Sequence, residues 1–218
     1  RVLFRSSGRP DAALNAGVDA TMVGCEFRAV TDESEPCCFD DWSAHYAKRA
    51  RTRKLGGVSS DLIDGLGRAG LEGRTLLDVG CGAGGLAMEA LERGAVTAVG
   101  VDLSSASIAE ARRISSERGL ADRTRFEVAD GSSAPLGSHD VVVLDKVFCC
   151  FPDVEELLGN SLGAARAVYA FSIPPSSGLR GLFARTVTRI QNAWYRMRRG
   201  KFGGFQTYVH DVSQMDSR

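Results

Sequence analysis

One run of ten residues, Leu76-Leu77-Asp78-Val79-Gly80-Cys81-Gly82-Ala83-Gly84-Gly85, constrains the rest of the chain. It reads as a buried strand ending in an acid, then a glycine turn, then a helix beginning near Leu86. Glycines at positions 80, 82 and 84 let the backbone turn sharply and approach a ligand with no Cβ in the way. They do so where a helix presents unpaired N–H groups, which predicts a pocket of nucleotide type.

Downstream the pattern alternates. Thr75–Gly80, Val96–Asp102, Thr124–Asp130, Asp140–Asp145 and Ala167–Ile173 read as strands. Helical segments cover Leu86–Arg93, Ser105–Arg118 and Val154–Leu162, and Pro174-Pro175 stops the last strand. Such alternation predicts an α/β fold, Rossmann-like and doubly wound, with a mainly parallel sheet, helices on both faces and right-handed crossovers.

Three regions follow. Residues 1–38 are poorly defined, with no sustained period, and Arg1 to Ser7 resembles nothing the fold needs; a chain that starts without Met reads as a fragment. Residues 39–70 form an N-terminal helical cap. Phe39, Trp42, Tyr46 and Ala50 recur at helical spacing, Lys48, Arg49, Arg51, Arg53 and Lys54 suit the helix end, and Gly56-Gly57 stops it. Ser59 or Ser60 caps a second helix whose apolar face is Leu62, Ile63 and Leu66. Residues 71–218 form the core, with a basic amphipathic helix at about 178–200. Its stripe is Leu179, Leu182, Phe183, Val187, Ile190, Trp194 and Met197, beside Arg180, Arg185, Arg189, Arg196, Arg198 and Arg199. Two readings stand: a solvated charged face over a buried stripe, or peripheral contact with anionic lipid.

Charge is balanced, with 27 basic and 27 acidic residues, so nothing global favours nucleic acid. No apolar run approaches the roughly 18 residues of a membrane span and no signal peptide is evident, so a cytoplasmic location is expected. The six cysteines, Cys25, Cys37, Cys38, Cys81, Cys149 and Cys150, include no C-x-x-C pair and no histidine at zinc spacing. No metal site follows, and reduced thiols are expected. Cys149 and Cys150 read as small buried hydrophobes.

Gly80, Gly82 and Gly85 also satisfy the dinucleotide pattern G-x-G-x-x-G, so a nicotinamide oxidoreductase is one reading. Asp102, about 20 residues beyond Gly82, sits where a βαβ unit returns an acid to ribose hydroxyls and fits that reading too. Asp78 does not fit it. An anion just before the turn repels a pyrophosphate and suits a positively charged cofactor without phosphate. Plainer roles are a helix N-cap for Asp102, a turn residue for Asp130, and an ion pair with Lys146 for Asp145.

The run Asp78-Val79-Gly80-Cys81-Gly82-Ala83-Gly84, followed by Val99-Gly100-Val101-Asp102-Leu103-Ser104 and Val128-Ala129-Asp130-Gly131, resembles the first three motifs of class I S-adenosylmethionine-dependent methyltransferases. The likeness covers about residues 71–174. It implies S-adenosyl-L-methionine as cofactor, with S-adenosyl-L-homocysteine as product. It places Gly80, Cys81, Gly82 and Gly84 along the methionine moiety and Asp78 near its ammonium end. Asp102 accepts from the ribose hydroxyls, Leu103 and Gly131 lie by the adenine, Asp130 takes its amino group, and Asp145 borders the methyl donor. The family's sheet ends in an antiparallel hairpin, for which Phe202–Arg218 leaves too little chain, so the core is expected to be C-terminally incomplete.

A weaker likeness, carried by Phe39-Asp40-Asp41-Trp42, by Lys146-Val147-Phe148-Cys149-Cys150-Phe151-Pro152-Asp153 and by Tyr208 with His210, points to magnesium-protoporphyrin O-methyltransferases. It implies a small-molecule acceptor, such as a tetrapyrrole carboxylate. Asp145-Lys146-Val147-Phe148 stands where base-amino methyltransferases carry an N-P-P-Y-like tetrad, which argues against nucleic acid. His210 and Tyr46 are the candidate catalytic residues, the former as a general base and the latter closing over the cofactor. A non-catalytic cofactor-binding or membrane-associated module is the alternative from another class.

Overall fold

A computed structural model of the chain describes residues 2–6, 39–53, 55–151, 154–197 and 206–210. Among these, the strands β1 (Val2–Ser6), β2 (Thr75–Val79), β3 (Thr97–Asp102), β4 (Thr124–Val128), β5 (His139–Leu144) and β6 (Ala165–Ser172) form one sheet. Their spatial order is β1-β6-β5-β2-β3-β4. Strands β2 to β6 are parallel, and β1 lies antiparallel on β6, with Val2 opposite Ser172 and Ser6 opposite Val168. The chain winds from β2 outward to β4, then returns to the other side of β2 for β5 and β6. The strand order therefore reverses beside β2, where an open α/β sheet takes its ligand.

The helices are α1 (Ser43–Arg51), α2 (Val58–Arg68), α3 (Gly85–Glu92), α4 (Ser105–Glu117), α5 (Val154–Gly163) and α6 (Gly178–Met197). Alternate strand residues point to opposite faces, and this sorts the core in two. Leu76, Ala98, Phe126, Val141 and Val143 pack with Leu62, Ile63, Met88, Ile108 and Ile114 of α2, α3 and α4. Leu77, Val79, Val101, Val142 and Leu144 pack with Phe148, Leu157, Tyr169 and Phe171 on the α5 side. Both faces of β2 and β5 are covered, which is why their sequences are almost continuously apolar. The expected α/β sheet with helices on both faces is present, its element ends shifted by one or two residues.

Three local readings are corrected. Val2–Ser6, read as structurally irrelevant, is the antiparallel edge strand; five residues carry too little pattern to announce a strand whose partner lies more than 160 residues away. Among the described residues, 206–210 add no strand. Asp40–Trp42 is a separate 3₁₀ turn ahead of α1, so the aromatic face is broken at Ser43. Finally, α2 starts at Val58 with Gly57 as its N-cap at φ 41°, so neither Ser59 nor Ser60 caps it. Readings that concern Cys25, Cys37, Cys38, Lys54, Pro152, Asp153, Arg198 and Arg199, and most of residues 1–38, lie outside the described residues.

Leu62, with no exposed surface, anchors the cap in the core. Leu62→Ala should lower the unfolding free energy by about 2–5 kcal/mol in urea denaturation, the cost of deleting buried methylenes without collapse of the cavity.

Candidate active site

A cavity of about 280 Å³ opens at the carboxyl ends of β2, β3 and β5, under the cap. Three acids from those ends line it: Asp78, Asp102 and Asp145. Asp102 accepts the Gly82 N–H at 2.8 Å and the Ser104 N–H at 2.9 Å. Burial raises its pKa while those N–H bonds and the like charge of Asp40 pull in opposite directions. A carboxylate has about four lone-pair sites, so two remain for ligand hydroxyls. Asp102 is not the N-cap of α4; Ser104 is, its hydroxyl accepting the Ser107 N–H at 3.0 Å.

Asp78 is only 2% exposed. It accepts the Ala87 N–H in the first turn of α3, while its Oδ2 is buried with no partner. Burial, then the charges of Asp145 and Asp102, push its pKa well above the carboxylate range. A buried unpaired oxygen costs about 1–3 kcal/mol, which a cationic ligand donor would recover.

Asp145 is tied in on both oxygens. Its Oδ2 accepts from the Ser59 hydroxyl at 2.5 Å and its Oδ1 from Ser172 at 2.7 Å. Lys146 Nζ lies 3.5 Å from Oδ2 and also donates to Ser59 Oγ, so the expected ion pair is present. Lys146 itself is held in the left-handed region at φ 63°, its N–H bonded to Ser172 Oγ at 2.8 Å. A side-chain-bearing residue keeps such a conformation only where its surroundings dictate it, often at a functional site.

The glycines divide. Gly80, Gly82 and Gly85 line the cavity, and Gly84 does not. Gly84 sits at φ 74° as N-cap of α3, where a Cβ would fall 2.6 Å from the Phe126 ring. Its requirement is internal packing rather than ligand approach. At Gly82, φ 52°, a Cβ would meet only Tyr46, at 3.6 Å.

Leu103, Ala129 and Gly131 line the cavity, whereas Asp130 turns aside: its Oδ1 accepts from the Ser132 N–H at 2.8 Å and the Ser132 hydroxyl at 2.7 Å. That is the geometry of a turn residue. Cys81 is buried in the wall, and its thiol pKa is raised by burial and by Asp102 and Asp78, so it stays a small neutral residue. Tyr46 lines the cavity, its phenol pushed up by burial and by surrounding thiols and acids, so it is a neutral donor. His210 is not part of the lining. It stacks on Tyr208, donates from Nε2 to the Phe151 carbonyl at 3.1 Å, and has its pKa lowered by burial. Together with the Tyr208 N–H, bonded to the Cys149 carbonyl at 2.7 Å, it braces the 148–151 turn from behind. Cys149 and Cys150 are half-buried rather than buried, and Cys150 faces the cavity.

Sequence reasoning missed Ser59, Arg49 and Cys150 as wall residues. No local signal marks Ser59, whose contact with Asp145 spans 86 positions. Its only cue, a serine at a helix start, pointed to capping.

This wall of acids, Asp78 buried and Asp102 and Asp145 half-buried, with one unpaired carboxylate oxygen beside the start of a helix, fits a cofactor bearing hydroxyls and positive charge. Residues 71–173 match the family model described as "Methyltransferase domain". By that match, this segment is similar to a methyltransferase domain. The cofactor of such a domain is S-adenosylmethionine, and the donor set just described fits it. The fold agrees with magnesium protoporphyrin IX methyltransferase from Synechocystis with bound S-adenosylhomocysteine: TM-score 0.59, 19% identity, 82% of this chain and 84% of that one. It also agrees with the YcgJ protein from Bacillus subtilis, at TM-score 0.57, 17% identity, 72% of this chain and 65% of that one. Among curated proteins, ribosomal protein L11 methyltransferase from Pasteurella multocida is 37% identical over 126 residues, 57% of this chain and 39% of its own length. The Yersinia pestis protein of the same name is 41% identical over 73 residues, 34% of this chain and 25% of its own. The chain thus spans well under half the length of these curated relatives.

Asp78→Asn keeps an acceptor for the Ala87 N–H and removes the cost of burying an ionisable carboxyl. It should raise the melting temperature of the ligand-free protein by a few degrees, while weakening S-adenosylhomocysteine binding about 10- to 100-fold in calorimetry, the loss of a charged hydrogen bond. Gly84→Ala should destabilise the methyltransferase domain by more than about 1 kcal/mol in thermal denaturation, since it combines a positive φ with a clash against Phe126.

Proposed function

We propose that the chain is an S-adenosylmethionine-dependent methyltransferase that esterifies a carboxylate on an apolar, planar acceptor of tetrapyrrole type. The observation that carries the acceptor class is the proton chemistry of the wall. With Asp78 and Asp102 engaged by the cofactor, none of the other described lining acids, phenols or thiols is set to take a proton: Tyr46 is a neutral phenol, Cys149 and burial push the Cys150 thiol up, and Asp145 already accepts from two hydroxyls. A carboxylate acceptor needs no base, because it attacks already ionised. Arg49 and Lys146 also border the cavity and suit an anion.

The cofactor supplies an electrophilic methyl carbon on a cationic sulfur. In this reading Asp78 takes the ammonium end, Asp102 the ribose hydroxyls, and Leu103, Ala129 and Gly131 the adenine, with Asp130 in the turn behind. The protein's work is alignment: the cap and the Lys146 turn hold the acceptor oxygen in line with the methyl group and keep water out. One O–C bond forms as the C–S bond breaks, and its electrons remain on sulfur.

The curated relatives' name favours a second reading, methylation of a ribosomal protein. Label from [methyl-³H]-S-adenosylmethionine, offered with protoporphyrin-type carboxylates and with ribosomal protein L11, separates them. The first reading predicts label on the small carboxylate that mild alkali releases as methanol. Alkali-stable label on the protein would instead establish the second.

A further inference from the structure

The apolar stripe of α6 is not buried. Leu179 is 87% exposed, Phe183 71%, Ile190 67% and Met197 74%, while the buried positions of the helix are Gly181 and Tyr195. At about 100° per residue, Leu182, Phe183, Val187, Ile190, Trp194 and Met197 share an arc of about 140°, and Gly181, Thr188 and Tyr195 lie on the opposite side. That opposite side is what meets the protein: Asn192 bonds the Thr207 carbonyl at 2.8 Å and its N–H at 2.9 Å, and Tyr195 is buried. The helix therefore docks on the side of Asn192 and Tyr195 and turns its apolar face outward.

Arg185, Arg189 and Arg196 project along one edge of that face and Arg180 along the other, and Gly178–Met197 contains no acid. We infer that α6 is an interfacial helix that lays this face into an anionic lipid surface. Apolar side chains enter the acyl boundary while flanking arginines meet the headgroups. The charge pattern selects this occupant over a second copy of the chain, because two such faces packed together would oppose two arginine rows with no acid to balance them. Nor does the helix span a bilayer: among the described residues no helix is long and apolar enough to do so. The inference stands apart from the acceptor proposed above. It also replaces the reading of this stripe as buried.

Flotation of the 218-residue protein with phosphatidylcholine vesicles, with and without phosphatidylserine, tests it. The expected result is binding to the anionic vesicles, at least about tenfold weaker without phosphatidylserine and weakened by salt, with Trp194 fluorescence quenched by brominated acyl chains. The double variant Phe183→Glu, Ile190→Glu should lose flotation with melting temperature and S-adenosylhomocysteine affinity unchanged. Equal flotation of variant and wild type would overturn the inference, as would none by the wild type. A concentration-dependent dimer that the variant dissolves, or a fall in the variant's melting temperature, would also overturn it by assigning the face to a second copy or to the chain itself.

Discussion

Crowding of carboxyl groups at the carboxyl end of the sheet is the constraint on which the site depends. Asp78, Asp102 and Asp145 reach one small cavity because β2, β3 and β5 are adjacent and parallel, so that their ends lie side by side. The protein offsets part of the cost with backbone N–H groups from Gly82, Ser104 and Ala87 and with hydroxyls from Ser59 and Ser172. One oxygen of Asp78 is left over. A fold bears such a cost where a cationic ligand recovers it.

The same acids hold the cap. Ser104 donates to Asp40, just ahead of α1, at 2.5 Å and its own N–H goes to Asp102; Ser59 of α2 donates to Asp145. Each end of the cap is thus tethered through a serine to the neighbourhood of one strand-end carboxylate. Cap position and cofactor-site charge are coupled, because whatever alters ionisation at Asp102 or Asp145 acts on the bonds that seat the cap.

What could be read from the sequence was what repeats locally. Strand–helix alternation specified the sheet, and the contrast between Asp78 and a phosphate-binding turn separated a cationic cofactor from a dinucleotide. The remainder rests on contacts between distant residues. A serine at a helix start looks like a cap until the helix begins one residue earlier and Ser59 reaches Asp145. Gly84 looks like Gly82 in the motif, yet Phe126 from β4 sets its requirement. The stripe on α6 has the same periodicity whether it faces a core or solvent; only its docking through Asn192 and Tyr195 shows the face outward. His210 carries the chemistry of a base, but its ring is spent on the Phe151 carbonyl.

We propose that this cluster of acids serves the ammonium-bearing end of the cofactor, with Asp78 as the group whose ionisation the ligand drives. Calorimetric titration of S-adenosylhomocysteine into the wild-type protein, in two buffers of different ionisation enthalpy, measures it directly. Burial and the neighbouring acids raise the pKa of Asp78 in the free protein, so affinity should increase as pH rises toward that value. The ammonium of the ligand should lower it, and binding at a pH between the free and bound values is predicted to release a proton to the buffer. Binding without proton release, or no binding where NADH binds, would contradict the account.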